Sequence, residues 1–242
     1  MASTKIEWTE STWNPVTGCT KISTGCKFCY AEVMARRLKA MGQEKYSQGF
    51  ELTLHPETLN EPYTWKKPKM IFVNSMSDLF HKDVPVNYIK EIFRVIKENP
   101  QHVFQILTKR ADILHYYDSE GLLNWTHNLW MGVTVENNEV VGRIKHLRAT
   151  GAKVKFISCE PLLSPLPNLN LQKIDWVIVG GESGRTPRPI KEEWVIDIKE
   201  QCLKSGAAFY FKQWGGTNKK KNGRLLEGIR YDKMPEITST KQ

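Results

Sequence analysis

The chain has 242 residues, a net charge of +9, and 40% hydrophobic against 25% charged residues, a globular composition long enough for one sizeable core. No run of about eighteen apolar residues occurs, which argues against a membrane span, and the opening MASTKIEWTE lacks the apolar core of a secretory signal. The positive charge favours an anionic partner such as nucleic acid, although moderate basicity is also common in plain enzymes.

In chain order, a stretch rich in Trp, Asn and Pro leads into the cysteine-bearing segment 18–30. After it, Tyr30, Met34, Leu38 and Met41 mark one stripe of a helix. Short apolar runs follow: MIFVNS (70–75), HVFQILT (102–108), LWMGVTV (129–135), VKFIS (154–158), WVIVGG (176–181) and AFYFKQW (208–214). Each is rich in Val, Ile and Phe and apolar on both faces, as strands of a covered parallel sheet are. Helical patterns separate them: Ile89, Ile92, Phe93 and Ile96; Val140, Val141, Ile144 and Leu147; and Trp194, Ile198 and Cys202, with Gly206 placed to cap the last. The alternation predicts βαβ units with right-handed crossovers. About six to seven such units predict an α/β fold, a full or partial (β/α) barrel, with a doubly wound open sheet as the alternative. No repeat or linker divides residues 1–242, so one domain is expected, closed from about 215 by the basic loop or tail GGTNKKKNGR.

Polar residues follow each predicted strand. Asn74, Ser75, Ser77 and Asp78 follow the first, Thr108, Lys109 and Arg110 the second, and Thr134 and Glu136 the third. Ser158 and Glu160, then Glu182 and Ser183, then Lys212 and Gln213 complete the series. In a parallel sheet these ends share one rim, where ligands bind. Capping explains Ser75 and Thr134 equally well, but charges set against buried strands need partners. In GGESGRTPRP (180–189), the paired glycines allow close backbone approach to a ligand, and Glu182 can accept from an ammonium or from ribose hydroxyls. Arg185 and Arg188 suit a carboxylate or phosphate, or a surface ion pair.

Five cysteines, an odd number, fit a reducing cytoplasm better than a secreted disulfide framework. Three of them, Cys19, Cys26 and Cys29, are spaced C-x6-C-x2-C in GCTKISTGCKFCY. Structural zinc usually takes four protein ligands; here no second C-x2-C exists, His55 and His81 lack knuckle spacing, and Cys159 would be a distant fourth. Cys159 and Cys202 otherwise read as core. Three thiols in one loop also suit an iron–sulfur cluster with one coordination position reserved for another ligand.

Cys26-Lys27-Phe28-Cys29-Tyr30 resembles the second half of the radical S-adenosylmethionine (SAM) signature C-x3-C-x2-C, in which an aromatic precedes the last cysteine. The whole chain resembles a phage and bacterial family of three-cysteine-motif proteins through WTESTWNPVTGC, CKFCYAEVMARR, FISCEPLL, WVIVGGESG and FYFKQWGG. The resemblance implies a radical-SAM-like partial barrel and a [4Fe–4S] cluster on Cys19, Cys26 and Cys29. It implies reductive cleavage of SAM to methionine and a 5′-deoxyadenosyl radical, with Phe28 packed near the adenine. Two departures stand out: the first gap is six residues, adding Thr20 to Gly25, and Gly180-Gly181-Glu182 follows a late strand rather than the second.

The expectation is thus a cytoplasmic radical-SAM-type enzyme served by an external electron donor. Asn74, Ser75, Ser77 and Asp78 would meet the methionine end of SAM, and Thr134 and Glu136 its ribose. Lys109, Arg110, Glu160, Glu182, Lys212 and Gln213 would line the substrate side, and Trp13, Trp65 and Trp214 would offer stacking surfaces. A nucleotide or nucleic acid is the first substrate expected. The alternatives are a peptide or small metabolite as substrate, or a non-catalytic module stabilised by zinc or a cluster.

Overall fold

The computed structural model describes residue 4 and residues 6–236. The elements are β1 (Ser11–Trp13), β2 (Val16–Thr17), α1 (Tyr30–Ala40), β3 (Thr53–Leu54), β4 (Met70–Val73), α2 (Val86–Glu98), β5 (Val103–Thr108) and α3 (Ala111–Ser119). They continue as β6 (Leu129–Thr134), α4 (Arg143–Ala149), β7 (Val154–Cys159), β8 (Trp176–Gly180), α5 (Glu192–Ser205), β9 (Ala208–Gln213) and α6 (Lys219–Asn222). Seven strands form one parallel sheet in the order β1-β4-β5-β6-β7-β8-β9, curled into a half-barrel, while β2 and β3 pair separately and antiparallel. The expected partial barrel is therefore present.

Strict alternation along the strands builds two cores, which is why the strand segments read as apolar throughout. Ile71, Val73, Ile106, Val133, Val177 and Phe211 join the helix-covered side, against Ile89, Ile92 and Phe93 of α2 and Val195 and Ile198 of α5. Their neighbours Phe72, Trp130, Phe156, Trp176, Ile178 and Tyr210 face inward and pack with Trp8 in a second cluster. The Trp8 ring lies 4.8 Å from Phe72 and 6.1 Å from Trp176, and Trp176 lies 5.9 Å from Tyr210. These aromatics fill the concave side of the sheet.

Three sequence expectations need correction. The α1 stripe of Tyr30, Met34 and Met41 is exposed; Ala31 and Ala35 are buried instead, against Met76, because only small side chains fit where the helix meets the 74–78 turn. Trp13 and Trp65 are core residues and offer no stacking face, and the Trp13 indole donates to the Thr58 carbonyl at 2.9 Å. The glycines at 180 and 181 approach the protein's own atoms: a Cβ on Gly181 would lie 2.0 Å from the Trp214 carbonyl oxygen, and one on Gly180 would lie 2.9 Å from Glu160 Oε1. Five elements were not anticipated: the short edge strand β1, whose Ser and Thr lack an apolar run, the two-residue strands β2 and β3, and the helices α3 and α6. Gly206 caps α5 with φ 79°, as expected.

Gly132 faces inward on β6, where a Cβ would meet the Phe156 ring at 2.4 Å. Phe156 is fully buried and cannot withdraw. Gly132→Ala is expected to destabilise the fold by about 1–3 kcal/mol, measured as a lower denaturant midpoint at unchanged m-value.

Candidate functional site

The chain leaves β1 at the C-terminal rim and turns through Gly18, whose φ of 79° and missing Cβ are both required: a Cβ would lie 2.0 Å from the Glu51 carbonyl oxygen. Gly18 N–H donates to the Met76 carbonyl at 3.0 Å and Cys19 N–H to the Phe50 carbonyl at 3.2 Å, which fixes the first thiol between two loops. Cys26 closes a single 3₁₀ turn, Thr24–Cys26, and Cys29 stands at the N-cap of α1. All three thiols are free and half-buried.

Charged side chains from the strand ends grip this loop. Asp78 and Arg110 form a buried ion pair at 2.9 Å. The same guanidinium reaches Cys19 Sγ at 3.5 Å and donates to both the carbonyl and the hydroxyl of Thr20 at 3.0 Å. Asp78 also accepts from the Thr108 hydroxyl at 2.6 Å and from Lys109 N–H at 3.0 Å. Fully buried Glu136 pairs with Arg143 at 2.8 Å and accepts from the Ser23 hydroxyl and from Gly25 N–H at 3.3 Å. Glu182 holds Arg188 bidentately, and Arg188 in turn donates to the Thr24 carbonyl at 2.8 Å and lies 5.3 Å from the centre of the Phe28 ring.

These surroundings set the thiols apart. Burial pushes Cys19 up and the Asp78 carboxylate adds to this, while Arg110 partly offsets both. Burial also works to raise Cys26, but hydrogen bonding at Ile22 and Ser23 and the Lys109 charge outweigh it and place this thiol below its ordinary value. Cys159 and Cys202 are buried in the core, where burial pushes Cys202 up to about 12 and Cys159 well above its usual value.

Beneath the loop lies a cavity of about 130 Å³ lined by Cys19, Cys26, Cys29, Asn74, Lys109 and Thr134 among others. Ser75, Ser77, Asp78 and Arg110 also border it. Asn74 has φ 58°, and its Oδ1 accepts from Val16 N–H at 3.1 Å, while its buried Nδ2 has no partner among the described residues. The Lys109 ammonium donates to the Thr134 hydroxyl at 3.2 Å. The cavity thus combines three thiols, a lysine and an unsatisfied amide donor. That set fits an electron-rich cluster and an amino-acid carboxylate. Among the described residues, no group of three or more His, Cys, Asp or Glu closes on a single metal ion.

The other expected site residues stand apart from this cavity. Lys212 pairs with Glu160 at 3.0 Å, and the Ser158 hydroxyl donates to Glu160 at 3.2 Å. The Gln213 amide donates to the Ser183 hydroxyl at 2.8 Å and to the Gly181 carbonyl at 3.2 Å. Glu136 is engaged by Arg143 and by the loop, and Glu182 by Arg188. Ser23, Thr24 and Arg143 were not singled out from sequence; the one available signal was that Thr20 to Gly25 exceeds the spacing of the wider superfamily.

A family model described as "Protein of unknown function (DUF5131)" matches residues 3–235. A search of curated proteins gives no match. Among solved structures, spore photoproduct lyase complexed with dinucleoside spore photoproduct is similar at TM-score 0.50 and 12% identity, covering 84% of this chain and 64% of that one. A Cys→Ser mutant of the same lyase gives TM-score 0.51 and 13% identity with the same coverage. The chain therefore spans less than two thirds of the length of these structures, and the likeness establishes the fold alone, an α/β partial barrel.

Removing Asp78 would leave Arg110 buried without its counter-charge, so Asp78→Ala is expected to cost about 3–5 kcal/mol, measured by chemical denaturation. Burial tends to raise Glu182, but the Arg188 hydrogen bonds and charge outweigh it and hold the carboxyl below the usual range. A depressed carboxyl contributes stability above its unfolded value of about 4.3, and this is lost as pH falls through the folded value. The stability gap between wild type and Glu182→Gln should therefore be present at neutral pH and shrink in acid, followed by thermal midpoints across pH.

Proposed function

For this chain, which belongs to the DUF5131 family, we propose an enzyme of radical-SAM type acting on a nucleotide or nucleic acid substrate. One observation carries it: three free, half-buried thiols are fixed over one cavity at the C-terminal mouth of a partial β/α barrel. Cys19, Cys26 and Cys29 would hold a [4Fe–4S] cluster, which when bound supplies the electron that cleaves SAM to methionine and a 5′-deoxyadenosyl radical.

The chain's own residues orient and shield. Arg110 donates to Cys19 Sγ, and the Lys109 charge acts on Cys26, so both cations favour thiolates at the loop. Asn74 Nδ2, buried in the cavity wall with no acceptor among the described residues, would donate to the SAM carboxylate. Phe72, Leu107 and Ala31 line the cavity with apolar surface, which limits water around a reactive species. Phe28, under the Arg188 guanidinium, would flank the adenine. Glu160 and Lys212 would face substrate across the mouth. The two form an ion pair at 3.0 Å, and the Ser158 hydroxyl donates to Glu160.

The net charge of +9 agrees with an anionic substrate, and a fold neighbour has been solved with a dinucleoside spore photoproduct. An external electron donor is part of the proposal. Among the described residues, no helix is long and apolar enough to cross a membrane.

Anaerobic purification with iron, sulfide and zinc analysis tests the proposal. Wild type should be brown with about four irons per chain. Cys19→Ala, Cys26→Ala and Cys29→Ala should each lose most of the iron, while Cys159→Ala should keep it. Dithionite and SAM should then yield 5′-deoxyadenosine. A colourless protein with stoichiometric zinc, or an intact cluster that yields no 5′-deoxyadenosine with candidate substrates, would overturn it.

A further inference from the structure

A second cavity, of about 380 Å³, is lined by Pro187, Arg188, Pro189, Ile190, Trp214 and Asn222. None of the three loop thiols borders it. It adjoins their loop through Arg188, which donates to the Thr24 carbonyl at 2.8 Å and lies 5.3 Å from the centre of the Phe28 ring.

Its walls are rigid. Trp214 is half-buried, whereas Trp13, Trp130 and Trp176 are fully buried in the cores. The Trp214 indole donates to the Leu225 carbonyl at 2.8 Å and its backbone N–H to the Gly223 carbonyl at 3.2 Å, and its ring centre lies 4.7 Å from that of fully buried Phe211. The ring is thus oriented before any ligand arrives, which lowers the cost of binding. Pro187 and Pro189 have φ fixed by their own rings. Gly215 turns the chain after Trp214 with φ 76°, and a Cβ on it would lie 2.3 Å from the Glu182 carbonyl oxygen.

The charge around the cavity has one sign. The two segments that build it, residues 185–191 and 214–222, carry Arg185, Arg188, Lys191, Lys219, Lys220 and Lys221 and no carboxylate. Arg188 is held by Glu182, Lys191 lies 3.7 Å from Glu193, and Lys219 lies 3.3 Å from Glu7. Arg185, Lys220 and Lys221 are exposed and have no carboxylate partner among the described residues.

A cleft of tryptophan and proline ringed by unpaired cations suits a flat ring carried on a polyanion. We propose that this cleft takes one unpaired base of a single-stranded nucleic acid, stacked on the Trp214 ring, with Arg185, Lys220 and Lys221 meeting the phosphodiesters of the strand. A base must leave a duplex stack to enter such a cleft, so the single strand is the form that binds. The reading of this strand as substrate rests on the function proposed above; the base site rests on the cleft.

Fluorescence anisotropy of the purified full chain with a labelled ten-nucleotide DNA strand tests this, beside an abasic strand that keeps every phosphate. Wild type should bind the base-bearing strand about tenfold more tightly. Trp214→Leu should lose that preference and Trp214→Phe should keep part of it. Arg185→Gln and Lys220→Gln should weaken both strands by similar factors, because phosphate contacts do not read bases. Photocrosslinking of wild type to a 5-iodouracil strand is a readout that survives if the Trp214 variants fold poorly; the crosslinked peptides should contain residues 187–190 or 214–222. Equal binding of both strands by wild type, an unchanged preference in folded Trp214→Leu, or crosslinks confined to other segments would overturn the proposal. So would tighter binding of a labelled decaproline peptide, since proline segments also dock in aromatic clefts. SAM cleavage without substrate is measured in parallel. Cleavage with no base preference sinks only the cleft, while a Trp214-dependent preference in a chain that never cleaves SAM sinks only the radical chemistry.

Discussion

The site depends on three carboxylate–guanidinium pairs that the strand ends hold out of water and that grip one loop. Asp78–Arg110, Glu136–Arg143 and Glu182–Arg188 follow β4 and β5, β6, and β8 respectively. Each pair also makes a hydrogen bond to the segment between the first two cysteines: Arg110 to Thr20, Glu136 from Ser23 and Gly25, Arg188 to Thr24. Buried ion pairs add little net stability, because desolvation offsets much of their attraction. Their effect here is positional. A loop of short polar residues has no apolar face of its own to dock, so its geometry comes from charged hydrogen bonds directed at its backbone.

That arrangement explains the unusual cysteine spacing. The six residues Thr20 to Gly25 run across the mouth from the end of β5, past β6, to the loop after β8, and each contact falls on a residue of the insert. Gly25 is required at the crossing, since a Cβ there would lie 2.9 Å from the Glu136 carboxyl. Asn137, next to Glu136, adds a bond to the Thr24 hydroxyl at 3.0 Å. A three-residue gap could not span these partners. Glu182 thus acts through Arg188 on the same loop.

The fold was legible because parallel strands covered on both faces leave unbroken apolar runs, and six of the seven sheet strands follow such runs. Strand β1 was not, because Ser11 and Thr12 at a sheet edge carry no such signal. The α1 stripe misled because large apolar residues marked the exposed side of a helix that packs through alanines. At the rim, sequence located the charges but not what they do. Glu136 and Glu182 look like ligand-facing acids when strand ends are read one by one; their arginine partners stand only seven and six residues further on, but in irregular stretches with no helical period to pair them, so only the folded chain shows those charges satisfied.

The mouth that results is chemically asymmetric. On the β4–β6 side, Lys109, Arg110 and Asn74 surround the thiols with positive charge and an unsatisfied donor, an environment for electron-rich ligands. On the β7–β9 side, Glu160 and Lys212 form an ion pair at 3.0 Å, and Arg224 lies beside the Tyr210 ring. Below both, Trp8, Trp130 and Trp176 fill the concave side with packed rings. The edge strands β1 and β9 are not joined to each other, so a half-barrel leaves an open seam. Chain segments from both ends meet there: the Tyr210 hydroxyl donates to the Glu7 carbonyl at 3.0 Å, Phe211 N–H to the Tyr231 carbonyl at 2.9 Å, and the Trp176 indole to the Lys233 carbonyl at 3.0 Å. Covering the edge of β9 protects it from pairing with another chain. The 214–225 loop meets the same seam, where the Arg224 guanidinium lies 4.9 Å from the centre of the Tyr210 ring.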